Sequence, residues 1–245
     1  MTDGTARAFT WPPKTVVAAV DFGEASARAI TLAGVIAAGG AATLRVLHAE
    51  RFEVPPYFTP AQIDRLEDER KEATAEITTE LTRFAKSSTT WPTTVVVADG
   101  RPLDMILEHS ADADLLVLGT HGRRGPSRWW LGSVAERVVR AAEMPVLVTR
   151  ADTAPAADLF ARVVVIGDDT APDQATRARA EALASAQGGQ IVASDTLAAC
   201  GSDTVATATL VAVAVPRGRS GWALSDVVTE ALGHCARPVL FIPAP

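Results

Sequence analysis

Residues 115–149 read LLVLGTHGRRGPSRWWLGSVAERVVRAAEMPVLVT, an apolar strand that breaks into a glycine-rich loop, re-enters a helix and ends in a second strand. Within it Gly119, Gly122 and Gly132, the last followed by Ser133, form the pattern Gly-x-x-Gly-x9-Gly-Ser. Such a loop suits phosphate for two physical reasons. Glycine takes positive φ and lets an anion approach bare backbone N–H groups. A helix opening near Gly132 and Ser133 adds N–H groups without intrahelical acceptors, the positive end of its dipole and the Ser133 hydroxyl, with Val134 and Ala135 supplying further N–H groups. The competing use of these glycines is a tight turn and close helix packing.

Outward from this segment the first half alternates short apolar runs with longer helical patterns, the signature of a parallel sheet covered by helices. Strands are expected at 15–20, 43–48, 94–98, 115–119 and 145–149. Ile30, Ala33, Gly34 and Ala37 recur at helical spacing, so 24–38 should present one apolar face rich in small residues. From 60 to 86, Ile63, Leu66, Ala73, Ile77, Leu81 and Phe84 keep helical spacing through a charged background, which reads as a long amphipathic surface helix. The turn Gly100-Arg101-Pro102 opens a shorter helix carrying Leu103, Ile106 and Leu107. In an open sheet of this kind a ligand crevice is expected beyond the carboxyl ends of the strands, the edge from which the glycine loop departs.

Residues 151–160, ADTAPAADLF, are alanine-rich and lack a clear period, so they read as a linker between a unit at 1–150 and a second at 151–245. Beyond them RVVVIGDD at 162–169 echoes KTVVAAVD at 14–21, and RPVLFIP at 237–243 echoes MPVLVTR at 144–150, an internal duplication. The copy is shortened, with nothing to match the long helix at 60–86. Aligning Pro238 on Pro145 puts Ser225 at the Gly132 position and Asp226 at the Ser133 position, where a carboxylate would face phosphate with like charge. Only Asp168, Gly218 and Gly221 resemble remnants of the motif, so the second unit reads as degenerate, non-binding and structural.

Composition bounds the partners. With 48% hydrophobic residues the chain can bury a sizeable core, and it contains no apolar run of about 18 residues that could span a bilayer. The start MTDGTARAFTWPPK lacks the basic and then continuously apolar pattern of a secretory signal, so a cytoplasmic location is expected. Two cysteines, Cys200 and Cys235, are too few for a disulfide framework or a zinc site. A formal net charge of −6 argues against nucleic acid as the main partner. His48, His109, His121 and His234 form no metal-binding spacing, so no protein-ligated catalytic metal is expected.

At the glycine pattern, set between LLVLGTHG and PVLV, the chain resembles the universal stress protein family, in the subgroup that binds ATP. The resemblance covers residues 14–150 well and the remainder poorly. It implies a Rossmann-like open parallel sheet of order 3-2-1-4-5, followed here by the shortened copy. It also implies that terminal strands pair, so that the two repeats form an intramolecular pseudo-dimer, with a further homodimer left open. By the same resemblance Asp21 contacts the nucleotide near adenine or ribose, and Ala19, Val20, Ala49 and Leu118 belong to the nucleotide pocket. Gly119, His121, Gly122, Arg123, Gly132, Ser133, Val134 and Ala135 then surround the phosphates. Magnesium arrives with ATP, held by phosphates and water.

Each residue has a plainer alternative. Asp21 could cap the helix that follows it, and Ala49 could simply be core. His121 and the arginines Arg123, Arg124 and Arg128 either meet phosphate or are solvated. Trp129 and Trp130 anchor the loop by packing or stack on adenine. No catalytic constellation is apparent, since neither His121 nor Glu136 is singled out as a base by its spacing. The resemblance implies a regulator that hydrolyses ATP slowly if at all. The rivals are a structural dimerisation module that ignores nucleotide and an ATP-consuming ligase or pyrophosphatase. The latter would carry a Ser-Gly-Gly-x-Asp-Ser loop after the first strand, where this chain has VDFGEAS.

Overall fold

The computed structural model describes residues 11–52, 60–120, 133–151, 153, 158–166, 190–193, 207–215 and 237–243, with helical residues at 178, 181, 182 and 185. Strands and helices alternate as β1 (Thr15–Val20), α1 (Glu24–Gly40), β2 (Thr43–Glu50), α2 (Pro60–Ser88), β3 (Thr93–Asp99), α3 (Pro102–His109), β4 (Leu115–Thr120), α4 (Ser133–Ala141) and β5 (Val146–Arg150). Four more strands follow, β6 (Arg162–Ile166), β7 (Gln190–Ala193), β8 (Leu210–Val215) and β9 (Val239–Pro243).

Among the described residues nine strands lie in one sheet of order β3-β2-β1-β4-β5-β9-β8-β6-β7. The central strands are apolar on both faces because both are covered. Val16 and Ala18 of β1 join Ile30 and Ala33 of α1 and Leu81 of α2 in one core. Val17 and Ala19 point the other way, into a core with Ile106 of α3 and Val138 and Val139 of α4. Every strand pair is parallel except β5 with β9, which pair antiparallel with Val146 opposite Phe241, Leu147 opposite Leu240 and Val148 opposite Val239. Both cores continue across this seam, since Phe241 lies in one and Leu240 in the other.

Helix α1 approaches its neighbours so closely that small residues are obligatory. A Cβ on Gly34 would lie 2.1 Å from Thr89 Oγ1, and one on Gly40 would lie 2.9 Å from Pro12 Cβ. The helix ends in a left-handed residue, yet Ala41 takes that conformation at φ 50° although two glycines precede it. Gly40 is committed to the contact with Pro12, and the turn instead closes with the Ala42 N–H donating to the Ala37 carbonyl at 2.9 Å.

Among the described side chains of α2 the amphipathic stripe reaches the core near the C-terminus, through Leu81 and Ala85, while Leu66, Ala73 and Ile77 are half-buried. The segment expected to be a linker is partly core: Leu159 and Phe160 are buried, and the Phe160 ring meets Trp11 edge-on at 4.5 Å. Among the described residues no helix is long and apolar enough to cross a membrane.

Candidate functional site

The carboxyl ends of β1, β2 and β4 meet at one edge, where strand register sets Ala19 beside Leu118 and Leu47, and Val20 beside His48. From β1 the chain turns into α1 through Asp21, Phe22 and Gly23. Oδ1 of Asp21 accepts from the Gly23 N–H at 3.1 Å and from the Ser26 hydroxyl at 2.6 Å. The same Ser26 Oγ accepts from the Asp21 N–H at 3.0 Å, so the two residues clamp the turn reciprocally. Gly23, the N-cap, has no side chain to do this, and Asp21 substitutes from two residues upstream. Between them Phe22 adopts φ 63°, the left-handed region that costs a bulky residue about 1–2 kcal/mol. Such strain persists only where neighbours over-determine it.

Those neighbours are aromatic. The Phe22 ring lies 4.7 Å from the His48 ring and 5.5 Å from that of Phe84 on α2. His48 is buried, with Nδ1 2.9 Å from the Val20 carbonyl and Nε2 3.0 Å from Oε2 of Glu50. The ends of β2 and β3 are tied by further polar contacts. The Gly100 N–H donates to the Glu50 carbonyl at 2.9 Å, and Phe52 N–H to Oδ1 of Asp99 at 3.3 Å. Arg70 of α2 pairs with Asp99 and lies 5.8 Å from the centre of the Phe52 ring. Earlier on β2, Arg45 forks onto both oxygens of Asp112 at 2.9 and 3.0 Å, and this hydrogen bonding holds its guanidinium above the usual arginine range.

The first glycine of the motif has a packing role. A Cβ on Gly119 would lie 2.5 Å from the carbonyl carbon of Ala25, 2.6 Å from its oxygen and 2.6 Å from the Ser26 nitrogen. These are backbone atoms of the first turn of α1, so only a glycine lets β4 and that turn touch. The contact also fixes Ser26, and through it Asp21.

The sequence-derived residues therefore fall into three groups. Ala19, Val20, Leu118 and Ala135 are buried near the edge, and Ala49 is half-buried beyond His48. Asp21 and Ser133, which opens α4, are exposed, as is Val134 at 36%. His121, Gly122, Arg123 and Gly132 lie outside the described residues, as do Arg124, Arg128, Trp129 and Trp130. So do Asp168, Gly218, Gly221, Ser225 and Asp226 of the second half. What sequence reasoning missed is the cluster of Phe22, Ser26, His48 and Glu50. One signal was present: His48 continues the alternation of Leu44 and Val46 onto the same apolar face, where a histidine needs partners.

A family model described as "Universal stress protein family" matches residues 13–150. A universal stress protein of Thermus aquaticus is 33% identical over 147 residues, covering 56% of this chain and 98% of that protein. One of Mycobacterium tuberculosis is 32% identical over 148 residues, covering 59% of this chain and 43% of that protein. A second from the same organism is 44% identical over 59 residues, 24% of this chain and 20% of that protein, so the matches span less than half the length of these mycobacterial relatives. The crystal structure of a universal stress protein from Archaeoglobus fulgidus superimposes with a TM-score of 0.72 at 17% identity, covering 94% of this chain and 98% of that one. That likeness is one of fold.

Proposed function

This chain belongs to the universal stress protein family, and from that premise we propose that residues 1–150 bind ATP, with occupancy biasing conformation or assembly in a cytoplasmic stress response. The observation that carries the reading is the full Gly119-x-x-Gly122-x9-Gly132-Ser133 pattern, which starts on β4 at the carboxyl edge and ends where Ser133 opens α4. The described residues fit an anion there, because Ser133 is exposed at the start of a helix whose first-turn N–H groups lack intrahelical acceptors. On this reading Asp21 accepts from ribose hydroxyls, and Ala19, Val20, Ala49 and Leu118 border the base. Backbone N–H groups from Gly119 to Gly122 and from Gly132 to Ala135 meet the phosphates, with His121 and Arg123 beside them. Magnesium enters with ATP.

The second half reads as a shortened copy. Among the described residues its strands run β9-β8-β6-β7, which repeats the order β5-β4-β1-β2 with no counterpart to β3. With Asp226 at the serine position it binds no nucleotide, and its value to the chain is to pair with β5 as the other half of a pseudo-dimer. One observation favours a second reading, a structural module without nucleotide: Asp21 and Gly119 both serve the packing of α1.

Calorimetric titration of the whole chain with ATP, ADP, AMP and cyclic AMP separates the two. One ATP per chain is expected. Gly132→Val should retain the circular dichroism of the parent and lose at least about tenfold in affinity, since a charge-assisted hydrogen bond is worth about 1.5–3 kcal/mol. A folded parent that takes up no nucleotide leaves the structural module standing, and two ATP per chain would contradict the reading of the second half.

A further inference from the structure

The C-terminal end of α1, opposite the turn that carries Asp21, borders a cavity of about 410 Å³. Its walls are apolar: Trp11 and Pro12 from the chain before β1, Val35, Ile36 and Gly39 of α1, and Phe160 from the segment that leads into β6. That volume falls within the roughly 300–1,000 Å³ of clefts that take small molecules. Three features separate it from an ordinary packing defect. The Trp11 indole N–H is buried and has no hydrogen-bond partner among the described residues, although a buried tryptophan ordinarily finds one. Val35 is 43% exposed, one of two large hydrophobic side chains left so among the described residues. A Cβ built on Gly39 meets nothing within 4 Å, so the helix side of the cavity is open.

We propose that this cavity is a ligand site for a small uncharged apolar molecule carrying one hydrogen-bond acceptor, a ketone or ester oxygen that accepts from Nε1 of Trp11. The chemistry of the walls selects the class. The rings of Trp11 and Phe160, edge-on at 4.5 Å, offer aromatic surface to an apolar body. A molecule without an acceptor leaves the indole N–H without a partner, which is unfavourable for a buried donor. An anion meets the exposed carboxylate of Asp158 at the rim. A cation gains little from a carboxylate that stands in water, and surrenders its hydration to apolar walls. Because the walls come both from α1 and from the segment before β6, the occupant joins the two halves and should raise the unfolding midpoint. The site lies at the other end of α1 from the nucleotide edge, and its test needs no nucleotide.

Tetralone, tetralin and naphthoate are fused two-ring molecules of similar size that carry a carbonyl, no polar group and a carboxylate. Each is titrated into the full chain and followed by the Trp11 indole N–H and Val35 methyl resonances. Tetralone is expected to shift both to saturation, tetralin to bind about two- to tenfold more weakly, the net worth of a neutral hydrogen bond, and naphthoate to leave them unmoved. Trp11→Phe keeps an aromatic wall and removes the donor, so that tetralone, read on the Val35 methyls, should fall to the affinity of tetralin. Gly39→Leu fills the cavity from its open side and should abolish binding of both with the circular dichroism of the parent retained. Should Trp11→Phe fail to fold, the ratio of tetralone to tetralin affinity in the parent still reads the hydrogen bond. Resonances unmoved by tetralone, tetralone bound no more tightly than tetralin, or binding that survives Gly39→Leu unchanged would each overturn the proposal.

Discussion

Replacing Phe241 by alanine is expected to lower the stability of the chain by about 3–5 kcal/mol, the loss typical of a large aromatic deleted from a packed core. Phe241 is 1% exposed and stands opposite Val146 across the antiparallel β5–β9 seam. It packs in one core with Val138, Val146 and Val148 from the first half and Val211 and Val213 from the second. A cavity there is shared by both halves. Because the cores run through the seam, the loss should shift one cooperative unfolding transition, seen at the same denaturant concentration by tryptophan fluorescence and by far-ultraviolet dichroism. A loss below about 1 kcal/mol, or two transitions of which only the later moves, would show that the halves fold independently and that the seam contributes little.

That seam marks the boundary of what the sequence makes legible. The parallel α/β architecture follows from local signals: runs such as TVVAAV and LLVLGT are apolar on both faces because helices cover both, and helical periodicity between them supplies the cover. The observed elements begin and end within about two residues of those readings because capping and turn signals are also local. Where long-range contacts decide, the local signals mislead. At the end of α1 the left-handed residue is Ala41, although Gly39 and Gly40 precede it. Leu159 and Phe160 sit in a stretch without period and are nevertheless core, since Trp11, far away in sequence, receives Phe160. The stripe on α2 reads as the apolar face of an amphipathic surface helix, which it is, with full burial among the described residues at Leu81 and Ala85. At the site, the sequence exposes the glycines and Asp21 as candidates, and the capping alternative for Asp21 matches its partners at the start of α1, but the partners that hold Phe22 come from β2 and α2. No spacing rule connects position 22 to 48 or 84.

Two glycine substitutions should separate packing from propensity, with opposite signs. Gly119→Val puts a Cβ about where three backbone atoms of Ala25 and Ser26 already lie, at 2.5–2.6 Å. Backbone cannot be relieved by a rotamer change, so the first turn of α1 must lift from β4. Overpacking costs roughly 1–3 kcal/mol and occasionally more, and a β-branched residue pressed on a main chain belongs at the upper end. Lifting that turn also draws Ser26 from Asp21, releasing both hydrogen bonds between them and the constraint on Phe22. On the proposed nucleotide reading ATP affinity should therefore fall by at least about tenfold even where the variant remains folded, the equivalent of 1.4 kcal/mol. Gly39→Ala is the counterpart, because a Cβ there meets nothing within 4 Å and the residue lies in the last turn of α1. Alanine in a helix is favoured over glycine by about 0.5–1 kcal/mol, so this change should raise the denaturation midpoint and leave nucleotide affinity alone. Urea titrations of both variants, paired with ATP calorimetry, test the contrast directly. If Gly119→Val keeps the stability and affinity of the parent, the close approach of α1 to β4 is wrong, and the first glycine of the motif answers to the ligand loop alone.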